Sequence, residues 1–456
     1  MMTETYQLNT GGKNVQERQD KYFIITYGCQ MNVHDSEKIA GMMEENGYIK
    51  SVNLEEADII LLNTCIVREN AELKVLGKIG SLKRLKKKNK NLIIAVGGCM
   101  MQSSEAVSII KEKYPQVDLV FGTHNLHRLP KLIENVKNER MRTIEIWDKD
   151  KGLIPELPHL RGDKHKAWIS IIQGCNNYCT YCIVPYVRGR ERSRHPENII
   201  QEIKNLSKEG VKEITLLGQN VNSYGKDFEN EIDFADLLMK INNINLIERI
   251  RYMTSHPRDF SDKLIYSIKK GSKICEHFHL PVQAGSTSVL NKMNRGYTKE
   301  EYLGLIKKIK DSIPDASITT DIIVGFPGET EEDFQETIEV VRTVRFDMAY
   351  TFIYSPRTGT PAADIQEQVS EDVKNNRLQR LMKIQNEISL ENNQQMKDKI
   401  VEVLVDGESK NNPDMLSGRN RNNKLIIFPA EKDIIGKLVN VKINRISSFT
   451  LYGEIY

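Results

Sequence analysis

No apolar run in the 456-residue sequence approaches the roughly 18 residues of a membrane span, so a transmembrane helix is excluded and no membrane partner is expected. Residues 1–20 are polar and lack an apolar h-region, which argues against a secretory signal and reads as a disordered lead-in. Cysteine is scarce and odd in number, seven in all. An odd count fits poorly with a disulfide framework, and the chain is expected in the cytoplasm, where disulfides are rare. A strong excess of either charge is missing too. The formal net charge is +3 and the pI near 8.3, which permits a nucleic-acid partner without demanding one. The length suggests about three domains.

The few cysteines are unevenly spread. Cys175, Cys179 and Cys182 fall at C-x3-C-x2-C spacing, with Tyr181 just before the last. Three thiolates this close can bind three irons of a [4Fe–4S] cube and leave the fourth iron open to a small molecule. A structural zinc wants four ligands, and no nearby Cys or His supplies the fourth. Cysteines that merely pack as small hydrophobes would not be expected to crowd into one polar loop. Cys275 is alone among apolar residues and is expected in a core.

Three apolar β-type runs, at residues 22–27, 58–63 and 91–96, alternate with helix-like stretches, which predicts a parallel α/β sheet. Cys29, Cys65 and Cys99 each lie just past one of these runs. That edge of a parallel sheet is where ligands bind. Two readings stand: a second three-cysteine cluster, or three unrelated buried cysteines. Lys83–Lys88 reads either as a solvated helix end or as a phosphate contact. His124 and His127 read as structural or surface groups. Residues 141–160 read as a linker.

Repeated β–α units over residues 161–392 predict a barrel or partial barrel, with the Cys175 loop at the C-terminal end of its first strand. Arg188, Arg190, Arg192 and Arg194 alternate along the chain. If extended, all four point one way and call for phosphate or carboxylate partners. Residues 393–456 change to short strands with Gly and Asn turns, which predicts a small antiparallel barrel. Its basic loop, residues 418–424, suits either a nucleic-acid grip or a plain β cap.

Read together, Ala167–Gly174, the three-cysteine loop and Ile183–Arg194 closely resemble the radical S-adenosylmethionine (SAM) methylthiotransferases, and within them the tRNA-modifying MiaB type. Gly28-Cys29-Gln30-Met31-Asn32, Asn63-Thr64-Cys65 and Gly97-Gly98-Cys99 are similar to that family's first three motifs, and Tyr354–Ala363 is a further match. The fold implied is α/β: an N-terminal parallel domain (21–140), a central radical SAM partial (β/α)6 barrel (161–392) and a C-terminal TRAM barrel (393–456). The resemblance implies two [4Fe–4S] clusters, one on Cys175, Cys179 and Cys182 and an auxiliary one on Cys29, Cys65 and Cys99 that supplies or carries sulfur. It implies SAM near Tyr181, Gln283, Ser286 and Gly325; Ala284 stands where the family usually has serine. It implies a 5′-deoxyadenosyl radical that drives methylthiolation of carbon 2 of N6-isopentenyladenosine beside the anticodon, at position 37 of tRNA. A one-electron reductant such as a flavodoxin or ferredoxin, the tRNA anticodon stem-loop and a monomeric state complete the expectation. The rivals are methylthiolation of threonylcarbamoyladenosine or of a ribosomal-protein aspartate, and a non-catalytic iron–sulfur or zinc RNA-binding protein.

Overall fold

The computed structural model describes residues 19–66, 69–148, 156–229 and 232–456. Residues 1–18 of the expected lead-in and 149–155 of the expected linker lie outside the described residues.

Six parallel strands form the first sheet, in the spatial order Ile49–Lys50, Lys21–Thr26, Ile59–Thr64, Ile93–Gly98, Leu119–Phe121, Thr143–Glu145. Its central strands read as unbroken apolar runs because helices cover both faces. Ile60, Leu62, Ile94 and Val96 pack with Val75 and Ile79 of helix Glu69–Lys88 and Ile110 of helix Ser104–Lys113. Ile59, Leu61, Ile93 and Ala95 pack with Ile39 and Met43 of helix Gln30–Glu45 and Leu132 and Ile133 of helix Leu129–Glu139. The strand order reverses between Lys21–Thr26 and Ile59–Thr64. That switch opens a crevice at the carboxyl ends of the strands. The sixth strand, Thr143–Glu145, falls inside the span expected as a linker, so the sheet runs past residue 140.

The central part is built of two three-stranded parallel sheets. Arg249–Tyr252, Glu213–Leu217 and Lys166–Ser170 form one; His277–His279, Ser317–Val324 and Met348–Ile353 form the other. A parallel bridge from Ile250 to Ile274 links them. Six strands thus curve around one core that runs from Ala167 to Ile388. Among the described residues no pairing joins the last strand to the first, so the barrel is open. Its helices start where the sequence supplies caps. Thr298 with Glu301 and Thr330 with Asp333 form capping boxes at helices Lys299–Ser312 and Glu331–Val344.

Helix Glu371–Gln394 leads to a closed five-stranded barrel of Ile400–Ser409, Asn412–Arg419, Leu425–Phe428, Leu438–Ile446 and Leu451–Ile455. The basic loop of this barrel does not reach toward solvent as a nucleic-acid grip would. Arg421 makes a two-pronged contact with Glu276, Nε–Oε2 2.8 Å and Nη2–Oε1 2.6 Å, and donates to Ser272 O and Ile274 O. Lys424 pairs with Asp347 at 2.6 Å. From the other side, buried Arg251 donates to Asn420 O and Arg421 O, and Arg249 to Arg419 O and Glu402. The loop's polarity serves to dock the small barrel on the large one.

Candidate functional site

Cys65 and Cys99 directly follow strands Ile59–Thr64 and Ile93–Gly98, and Cys29 lies three residues beyond Lys21–Thr26. The residues beside them fasten neighbouring strand ends together. Asn32 Nδ2 donates to Tyr27 O at 3.0 Å and Thr64 O at 2.8 Å, bridging two strand ends. Its Oδ1 accepts from the Cys29 thiol, Sγ to Oδ1 3.7 Å. Asn63 Nδ2 donates to Asn32 O at 2.8 Å and Ser36 Oγ at 3.0 Å, and Thr64 Oγ1 to Gly97 O at 2.6 Å. Gly98 has φ +98°, and a Cβ there would lie 2.5 Å from Thr64 O, so only glycine lets the backbone leading into Cys99 run this close to the neighbouring strand end. Burial pushes the Cys99 thiol up to about 11; Arg188 opposes this, while Cys65, Asp35 and Cys29 add to it.

The second set is local. Cys175 N donates to Gly189 O at 3.1 Å and Cys182 N to Cys179 O at 2.9 Å. Thr180 Oγ1 ties the loop to Lys292 O at 2.8 Å. Gly174 has φ +78°, and a Cβ there would come 2.0 Å from Arg190 O. Burial pushes Cys182 up to about 12, with Cys179 adding to it, and Cys175 up to about 11, with the Asn177 N–H opposing. None of the cysteines is disulfide-bonded. Free thiolates are thus disfavoured at Cys99, Cys175 and Cys182, and a bound cation is what would ionise them. Among the described residues no group of three or more His, Cys, Asp or Glu is drawn tightly enough to hold a single metal ion. A lone zinc needs sulfurs about 4 Å apart, from Zn–S bonds of about 2.3 Å. A cube gives each thiolate its own iron. Each donor set, three thiols within electrostatic reach of one another, fits such a cluster.

The two sets are joined. Pro185 opens a short helix, Val184–Arg188, immediately after Cys182. Ile183, which caps it, and Val187 on it enter the core under the N-terminal sheet. Arg188 reaches the sheet edge: Nε lies 3.1 Å from Cys99 Sγ, and Nη2 lies 2.9 Å from Asp35 Oδ2 and 3.3 Å from Asn32 Oδ1. The four alternating arginines therefore do not form one extended row. The helix breaks the period of two. Arg190 is exposed, Arg192 reaches Gln173, and buried Arg194 holds Glu156, Glu202 and Ser170 O. Carboxylate partners are as expected for Arg188 and Arg194.

Tyr181 packs against the central core beside Arg295, whose Nη1 lies 3.4 Å from the Tyr181 hydroxyl and 3.3 Å from Cys179 Sγ. Gln283 takes a left-handed conformation, φ +72°, with its Oε1 buried and without a hydrogen-bond partner among the described residues. Gly325, at φ +71°, ends strand Ser317–Val324, with its N–H held by Glu329. Ser286 is differently placed: its hydroxyl is taken by Asp333, tying helix Thr287–Lys292 to helix Glu331–Val344. Ala284 and Cys275 are core residues. His127 sits edge-on to Trp147 at 5.3 Å, and His124 is buried in the cleft beside Arg188. Lys86 of the basic run pairs with Asp118 at 2.7 Å, closing a helix end rather than facing a phosphate.

Three family models match in sequence order: Uncharacterized protein family UPF0004 at residues 21–122, the Radical SAM superfamily at 169–341 and the TRAM domain at 394–456. A relative from Thermoanaerobacter pseudethanolicus named tRNA-2-methylthio-N(6)-dimethylallyladenosine synthase is 57% identical, over 97% of this chain and 93% of its own. One of the same name from Desulforamulus reducens is 56% identical, over 97% of each. The chain belongs to the tRNA-2-methylthio-N(6)-dimethylallyladenosine synthase family. For a member of this synthase family, the radical SAM match implies a [4Fe–4S] cluster and SAM. Among solved structures, the radical SAM methyltransferase TsrM from Kitasatospora setae aligns with TM-score 0.55 at 12% identity, over 76% of this chain and 77% of its own, a likeness of fold alone. No helix among the described residues is long and apolar enough to cross a membrane.

Sequence reasoning missed Arg295, Asn32 as the hub of the sheet edge, and the exposed pair Tyr178 on the cysteine loop and Tyr186 on the helix after it, 6.0 Å apart. Asn32 carried a signal, as part of the Gly-Cys-Gln-Met-Asn motif. Arg295 lies 113 residues beyond Cys182 by number and carried none.

Proposed function

We propose that this chain methylthiolates carbon 2 of N6-isopentenyladenosine at position 37 of tRNA, with the anticodon stem-loop as its partner. Cys175, Cys179 and Cys182 hold the cluster that binds SAM; Cys29, Cys65 and Cys99 hold a second one. The observation that carries the reading is the helix Val184–Arg188, which joins the two thiol sets edge to edge. When bound, the first cluster and SAM supply a radical able to attack an unactivated C–H bond, which no acid–base pair of the protein could do. The chain's own residues bury the thiols and fix the loop through Thr180 and Gly174, and Gln283 Oε1 and the Gly325 strand end are the groups assigned to SAM. Exposed Tyr178 and Tyr186 offer faces on which unstacked bases of a loop can lie. A flavodoxin- or ferredoxin-like donor supplies electrons to a cytoplasmic monomer whose functional units are residues 21–145, 161–392 and 393–456.

The test is anaerobic reconstitution with an iron count, for the native chain and for Cys175/Cys179/Cys182→Ala. SAM, dithionite and isopentenylated stem-loop RNA are then added, and the nucleosides are read by mass spectrometry. About eight irons, halved in the variant, with the methylthio nucleoside formed only by the native chain, is the expected result. Zinc in place of iron without SAM cleavage would leave an RNA-binding protein; SAM cleavage without product would move the substrate.

A further inference from the structure

Arg188, the first member of the arginine run, touches a thiol. It is buried, and it comes from the loop of one cysteine set to the sulfur of the other. Its guanidinium has two sides. Nε faces Cys99 Sγ at 3.1 Å, and Nη2 faces the Asp35 carboxylate at 2.9 Å. Asp35 lies on helix Gln30–Glu45, one turn beyond Asn32, whose Oδ1 also faces Nη2 at 3.3 Å. Ile183 and Val187 anchor the short helix in the sheet's core, so the guanidinium is held from both ends.

We propose that Arg188 is a positioning residue that sets the reduction potential of the cluster on Cys29, Cys65 and Cys99, with Asp35 as its partial counter-charge. The inference rests on the two-cluster reading above. A fixed cation hydrogen-bonded to a ligand sulfur stabilises the more negative, reduced form of a cluster and raises its potential. Asp35 pulls the same guanidinium the other way, by placing an anion on its far edge. Removing Arg188 and removing Asp35 must therefore move the potential in opposite directions. A residue that only packed the interface would not give two signs.

The experiment uses the full chain with Cys175/Cys179/Cys182→Ala, so that one cluster is observed. It is reconstituted, its iron is counted, and it is titrated electrochemically with spectroscopic detection. Arg188→Gln is expected to shift the midpoint negative and Asp35→Asn to shift it positive, each with about four irons retained. Arg188→Lys keeps the charge without the fork, and its midpoint is expected between those of Arg188→Gln and the parent. If Arg188→Gln sheds its iron, Arg188→Lys and Asp35→Asn carry the test. Potentials equal to the parent's in the variants that retain iron, or shifts of one sign in all of them, would overturn the inference. A parent that holds no iron would instead overturn the two-cluster reading.

Discussion

Arg421→Ala separates docking from RNA binding in the small barrel. Arg421 donates to two main-chain oxygens, Ser272 O at 3.1 Å and Ile274 O at 2.6 Å, besides pairing with Glu276. A hydrogen bond from a charged donor contributes about 1.5 kcal/mol at the low end of its range. The low end applies because the side chain is 27% exposed. Two such bonds give about 3 kcal/mol, and a partly exposed ion pair adds about 1 kcal/mol. Ordering an arginine costs about 2 kcal/mol. The balance, about 2 kcal/mol, corresponds to a roughly thirtyfold rise in local opening. Arg249, Arg251 and Lys424 remain, so the barrel stays attached. Hydrogen exchange of residues 418–424 and of strand Arg249–Tyr252 reads the opening directly. Unchanged exchange, together with a tRNA affinity whose salt dependence falls by about one phosphate contact, would show that the guanidinium faces RNA and refute the docking account.

Asn32→Ala leaves Thr64 O without its side-chain donor and removes the tie between two strand ends. About half the iron is expected to be lost from the reconstituted chain, the same half that Cys175/Cys179/Cys182→Ala keeps; an iron count of the combined variant, expected near zero, decides. Tyr178→Ala and Tyr186→Ala are expected to weaken anticodon-loop binding by about 1–3 kcal/mol each with iron content unchanged, measured by fluorescence anisotropy. Stacked His34 and His159, ring centroids 4.9 Å apart, lie between helix Gln30–Glu45 and the following part of the chain, facing Glu37, Lys38, Arg161 and Arg194. Burial holds His159 down to about 3 and His34 well below its ordinary value. Both imidazoles stay neutral in the fold but take protons once unfolded, so stability is full above about pH 6.5 and falls as the pH drops toward 3. Glu37, raised by burial to about 7, opposes this between about pH 4.5 and 7. His159→Leu should flatten the acid limb of a denaturant-midpoint profile; an unchanged limb would remove the pair from the account.

Where the sequence speaks in long patterns, it is readable. The runs before Cys29, Cys65 and Cys99 are apolar because both sheet faces are covered, and that same continuity marks their ends. Ile49–Lys50 and Thr143–Glu145 are two and three residues long and carry no period to read. The arginine run misleads because alternation implies one face only for an extended chain. Pro185 starts a helical turn within the same stretch, and Gly189 ends it. Residues 418–424 look like a phosphate grip because charge alone does not say whether its partner is a nucleic acid or another part of the same chain. Arg295 is invisible in sequence since its role depends on a turn that brings it back to Cys179.

The two thiol sets also differ in when they can exist. Cys175, Cys179 and Cys182 are neighbours in any conformation, so little chain entropy is lost in gathering them. Cys29, Cys65 and Cys99 meet only once three strands are in register. Synthesis reverses this disadvantage, because residues 21–99 leave the ribosome first and domains fold as they emerge. Arg188 follows Cys99 by 89 residues. The harder set to assemble is thus complete while the helix that covers it is still unmade, and the growing chain passes through a stage in which that edge lies open to its surroundings.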